Sequence, residues 1–180
     1  PKQDTITSLH DLSAVDLLAG YRAKQFSPSE VLEEIISQVA TWEPQIKALY
    51  LYDPDGARKV AKASTERWQQ AEPAGTLDGV PVTIKVNVDQ RGHATTNGVV
   101  AFRDVIATED SPVVANVRKA GAIIVGRTNT PAFSHRWFTN NDLHGATHNP
   151  WSRRLTPGGS SGGAASAVAS GMGAIAHGND

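Results

Sequence analysis

This 180-residue sequence predicts an α/β fold: a mostly parallel (mixed) central sheet flanked by helices, with an N-terminal helical layer. Three observations lead there. Residues 80–88 put a β-branched side chain at every second position, as a strand does. Ser111-Pro112 opens a helix, and residues 122–126 then form an unbroken apolar run, as expected of a strand buried on both faces. Strand, helix and strand in that order make a βαβ unit, hence parallel neighbours. The N-terminal third reads instead as helices. Its clearest start is Ser27-Pro28-Ser29-Glu30, a capping box with proline at the first helical position.

Residues 1–10 read as an irregular arm. A short amphipathic helix begins at Ser13-Ala14-Val15-Asp16, and Gly20 interrupts it or ends it near Lys24. After the capping box, Val31, Leu32, Ile35, Ile36 and Val39 form one apolar stripe, and Pro44 marks the end. Residues 49–52 read as a short strand. Asp53-Pro54 starts a polar helix running to about Gln70, with Val60, Ala61, Ser64 and Trp68 on one side. In the strand at 80–88, Pro81 suits the start, and the even-numbered valines and isoleucine share one face. Thr83, Lys85 and Asn87 share the other. Residues 90–107 form a long loop. The helix after Ser111-Pro112 has Val113, Val114 and Val117 as its stripe and closes at Lys119-Ala120-Gly121. Residues 131–137 are assigned to a helix and 138–157 to a loop rich in Asn, His and Pro.

Composition narrows the function. Hydrophobic content of 39%, 19% charged residues and a net charge of −1 describe a soluble globular protein without a large electrostatic footprint for nucleic acid. With no cysteine there are no disulfides, thiol nucleophiles or thiolate metal sites. No apolar run approaches the roughly 20 residues of a membrane helix, and the N-terminus has no signal-peptide core. A soluble, cytoplasmic protein is expected.

The rest of the chain is organised around Thr156-Pro157-Gly158-Gly159-Ser160-Ser161-Gly162-Gly163, followed by an Ala/Val run that ends at Gly171. Glycines let a backbone take positive φ and approach a ligand closely. A serine here also sits among the unpaired N–H groups that open a helix. The glycine turn is no phosphate-binding loop, because no Lys-Ser/Thr follows it. This stretch resembles the core of the amidase signature family of amide hydrolases. Three further segments match in order: Gly79-Val80-Pro81-Val82-Thr83-Ile84-Lys85, residues 121–129 (GAIIVGRTN), and Gly145-Ala146-Thr147-His148-Asn149-Pro150-Trp151. The resemblance implies that residues 1–180 are the N-terminal part of a single amidase domain. Residues 1–75 would be a helical covering region and 76–180 the start of an incomplete signature core.

The resemblance also implies a Ser–cisSer–Lys triad. A lysine acts as base and then acid, a serine with a cis peptide bond relays the proton, and a second serine attacks the carbonyl. Motif by motif, the lysine falls on Lys85 and the relay on Ser160, with a cis Gly159–Ser160 bond. The nucleophile would follow shortly beyond Asp180. A lysine can be a base only if its pKa falls far below about 10.4. Ser134, by position, and Ser161, next to the relay, are assigned to substrate binding. Val86 and Asn179 depart from the aspartate and threonine common at those positions. The implied partners are a small-molecule amide and the rest of the amidase chain, with no membrane and no cofactor. A homo-oligomer is left open. The alternatives are the A subunit of an aminoacyl-tRNA amidotransferase, the one case involving nucleic acid, and a non-catalytic scaffold. His135, His144, His148 and His177 lack zincin spacing, so no metal is assigned.

Overall fold

The computed structural model describes residues 8–179; residues 1–7 of the expected arm lie outside them. A 3₁₀ turn at Leu9–Asp11 precedes helix α1 (Ala14–Arg22), which Ser13 caps by accepting the Asp16 N–H. Gly20 lies inside α1, because Phe26 folds back over it where a β-carbon would be. Helix α2 (Pro28–Ile46) begins with the complete capping box at Ser27 and Glu30. It runs past Pro44, contrary to the expected stop. Proline removes one N–H, and so close to the end that costs a single helical bond.

Glu43 completes that helix end. Its carboxylate accepts the N–H groups of Ala48 and Leu49 at 2.9 and 3.1 Å, turning the chain into strand β1 (Leu49–Tyr52). Burial raises the Glu43 pKa from 4.5 to about 7, although the two backbone N–H groups favour the anion. The folded state therefore holds this proton more tightly than the unfolded chain. Its contribution to stability is full below about pH 4.5 and is lost as pH rises through about 7. A Glu43→Gln variant keeps an acceptor and removes the titration. Its melting temperature should lack the parent's decline between pH 5 and about 7.5 and exceed the parent's at pH 8. Parallel pH profiles for the two proteins would contradict this.

Helix α3 (Pro54–Gln69) starts at the cap Asp53 and buries Ala57, Ala61, Ser64 and Trp68; Val60 is exposed. Strand β2 (Pro81–Lys85) is shorter than the expected 80–88. Val86 still donates to Thr128 O, but the chain then turns away, so Asn87 and Val88 leave the sheet. After the long loop come α4 (Pro112–Lys119) and β3 (Ile123–Thr128). Only Val114 of the α4 stripe is fully buried, since the helix covers the sheet along a narrow line. The stretch expected as a helix at 131–137 is one 3₁₀ turn, Ala132–Ser134. Phe133 and Ser134 take positive φ of 55° and 58°, which an α-helix cannot continue through. The following loop contains a small antiparallel pair, β4 (Asn140–Asn141) and β5 (Gly145–Ala146). Helix α5 (Gly162–Ala169) ends in a Schellman motif: Gly171 and Met172 donate to Val168 O and Ala167 O, with Gly171 at φ 66°. Strand β6 (Ile175–Ala176) follows.

The main sheet has the order β1-β3-β2-β6, with β2 parallel to both β3 and β6 and β1 antiparallel at the edge. It is mixed, with the parallel pair at its centre. Leu17, Leu32, Ile35 and Val39 of the helical layer pack with Ile123 and Val125 of β3 and with Ala167 and Met172 near α5. Each such buried aliphatic chain stabilises the fold by about 1.5–3 kcal/mol. Polar ties hold the layer to the entrance of β2. Tyr21 donates to Gly79 O at 3.0 Å and Trp68 to Asp78 O at 3.1 Å. Arg67 grips the buried Asp78 carboxylate with two nitrogens. Burial alone would raise the Asp78 pKa, yet this grip and the Ala74 N–H hold it below the usual range. β2 is thereby fixed with Lys85 at its inner end.

Candidate active site

Lys85 is the last residue of β2, beside Thr128 of β3. Its side chain is fully buried. Its side chain meets the start of α5, which comes close because the turn and first helical residues are small. At Gly163 a β-carbon would lie 2.5 Å from the Asn129 backbone nitrogen, so only glycine lets α5 seat against the end of β3. Lys85 Nζ donates to Ser160 Oγ at 2.7 Å, Ser161 Oγ at 3.0 Å, and Asn179 Oδ1 and O at 2.9 and 3.3 Å. The Gly159–Ser160 peptide bond is cis. Lys85 and Ser160, seventy-five positions apart in sequence, are therefore in direct contact.

Ser161 is aimed inward. Besides meeting Lys85, its hydroxyl donates to Asn179 O at 2.9 Å and accepts the Asn179 N–H at 3.2 Å. Asn179, which departs from a common threonine, thus alters the hydrogen bonding at the site by touching the lysine directly. Asn87, although it has left the sheet, still reaches the site and donates to Asn179 Oδ1 at 3.0 Å and to Ser134 Oγ at 3.4 Å. Ser134 Oγ also donates to Asn97 Oδ1 at 3.2 Å and lies 3.1 Å from Thr130 Oγ1. Asn97 and Thr130 carried no signal of their own in sequence, since both sit in loops.

Two openings reach this cluster. A cleft of about 210 Å³ is lined by Ser134, His135, Arg136, Trp137, Gly159 and Ser160. A broader one of about 560 Å³ exposes the glycine turn with Ser160, Ser161 and Asn179. Trp137 stands at the rim, 84% exposed. The cleft lining thus includes the hydroxyls of Ser134 and Ser160 together with Trp137. A separate opening of about 650 Å³, lined by residues of α3, α4 and β3, includes neither Lys85 nor Ser160.

His177, which follows β6, is held below its usual pKa by burial and then by the positive charge of Lys85. His144 lies edge-on to the Tyr50 ring at 5.3 Å, and burial likewise lowers its pKa. Among the described residues no three His, Cys, Asp or Glu side chains gather as a metal would require. Nor is any helix among them long and apolar enough to cross a membrane.

A family model described as Amidase matches residues 30–180. The chain belongs to the amidase signature family. Indoleacetamide hydrolase of Bradyrhizobium diazoefficiens is 49% identical over 93% of this chain and 32% of that protein. An acylamidase of Rhodococcus erythropolis is 39% identical over 98% of this chain and 37% of its own. Among solved structures, a bacterial aryl acylamidase of the amidase signature family superposes with a TM-score of 0.88 at 33% identity, over 94% of this chain and 36% of that one. The chain spans about a third of the length of the amidase relatives it matches. The sheet described above is thus part of an incomplete amidase signature domain.

Proposed function

We propose that this chain supplies the lysine and relay serine of an amide hydrolase whose nucleophilic serine follows shortly beyond Asp180. The observation that carries the reading is the 2.7 Å contact between Lys85 Nζ and Ser160 Oγ, with Ser160 lining an open cleft. As described, the lysine is the donor. Once Lys85 is neutral the same contact reverses: Ser160 donates to Nζ and its oxygen accepts the proton of the nucleophile. The nucleophile attacks the amide carbonyl, and the proton passes through Ser160 to Lys85. Collapse of the tetrahedral intermediate breaks the C–N bond while the proton returns by the same route to the leaving nitrogen. The amine or ammonia leaves at that step, and water, giving up its proton along the same path, then hydrolyses the acyl-enzyme to the carboxylate and the free serine. Ser134, which lines the cleft, and Ser161 are proposed to bond the substrate amide, Ser161 also linking Lys85 to the Asn179 segment.

The substrate class proposed is the primary amide of an arylacetic acid. Trp137 lines the same cleft as Ser160 and is exposed at its rim, where an aryl group could stack, and the 49% identical relative is an indoleacetamide hydrolase. The test is ammonia release by the protein carrying its downstream segment, from indole-3-acetamide and, separately, from glutamine. Turnover of the aryl amide without added partner proteins is the expected result. Activity on glutamine alone, dependent on partner subunits, would replace this reading with the amidotransferase one.

A further inference from the structure

We infer that Thr139 is a positioning residue that fixes Ser160 for proton relay. The inference deepens the proposed function and rests on the relay role given there to Ser160. Thr139 is 2% exposed and precedes β4, on neither the strand nor the helix that presents the reacting groups. Its hydroxyl donates to Gly158 O at 3.0 Å and accepts the Gly162 N–H at 3.1 Å. Those two backbone groups bracket Gly159, Ser160 and Ser161. One side chain thus ties the two ends of the catalytic turn, and a single hydroxyl, donor and acceptor at once, serves both ties. The Gly162 N–H is among the first of α5 and has no partner within its own helix.

The same stretch also sets the depth of the turn. A β-carbon at Gly159 would lie 2.6 Å from Arg136 O and 2.7 Å from the Phe138 nitrogen, so residues 136–139 form a bed on which the turn rests. A β-carbon at Gly162 would lie 2.2 Å from Thr139 Oγ1 itself. Thr139 is anchored from behind, because Thr147 donates its N–H to Thr139 O at 3.0 Å. Ser160 is thus held from two sides: Lys85 receives it from the sheet, and Thr139 closes the loop that delivers it. Thr139 touches neither substrate nor proton. Its effect is on where the Ser160 oxygen stands between Lys85 and the nucleophile.

The consequence is selective. Expelling an amine requires a proton delivered to nitrogen, whereas a nitrophenolate leaves without one. A displaced relay therefore slows amide cleavage more than cleavage of an activated ester. The experiment compares the protein with its downstream segment, Thr139→Val and Thr139→Ser on an aryl amide and on the corresponding p-nitrophenyl ester. The ratio of the two rates does not depend on how much of a sample is folded. Thr139→Val removes both ties at nearly constant volume and should lower the amide-to-ester ratio by about 10- to 100-fold, the scale of an ångström-level misplacement. Thr139→Ser keeps the hydroxyl and should hold the ratio within about threefold of the parent. An unchanged ratio in Thr139→Val, or an equal fall in Thr139→Ser, overturns the inference. A parent that cleaves no amide at all overturns the proposed function instead, so the two failures are distinct.

Discussion

Replacing Lys85 with methionine is expected to lower amide turnover by about 10²- to 10⁴-fold while leaving the protein folded, the range for losing a general acid–base group. Methionine matches the length of the buried stem, so the volume at the end of β2 remains filled. What disappears is the group that contacts Ser160 Oγ, Ser161 Oγ and the Asn179 side chain. Those oxygens lie beside the open glycine turn, where water can replace the missing donor. Steady-state rates on the aryl amide, with circular dichroism to verify folding, check this. Turnover within tenfold of the parent in a folded Lys85→Met protein would remove Lys85 from the mechanism.

Ser160→Ala is expected to show a loss of about 10²- to 10⁴-fold, mostly in kcat. On the proposed mechanism the alanine leaves a gap of about one oxygen between Lys85 and the nucleophile, which a proton cannot cross directly. KM should change little, because Ser134 and the cleft wall rather than Ser160 are assigned to the bound amide. A loss confined to KM would make Ser160 a binding residue.

Much of this arrangement was legible in sequence for identifiable reasons. Helix starts at Ser27, Asp53 and Ser111 were readable because a side-chain oxygen facing orphan N–H groups, followed by proline, is a local signal. The contact between Lys85 and Ser160 was not local. It followed from the family resemblance, with the alternation along β2 supplying only the face. Errors arose where tertiary packing outweighs local preference. Pro44 did not end α2 because Glu43 caps the chain just beyond it. Residues 131–137 did not form a helix, since Phe133 and Ser134 turn with positive φ to bring Ser134 to the cleft. Thr139 gave no signal at all. A threonine in a polar loop looks the same whether it faces water or two backbone groups of a glycine turn.

The central claim is that Lys85 and Ser160 act as one proton path rather than as two separate contributors. The most direct measurement is a double-variant cycle on kcat for the aryl amide, using Lys85→Met, Ser160→Ala and the combined protein. Residues that act as a unit lose about as much singly as together. The expected result is therefore a combined variant no more than about threefold slower than the slower single variant. Losses that multiply would show two independent roles and contradict the relay.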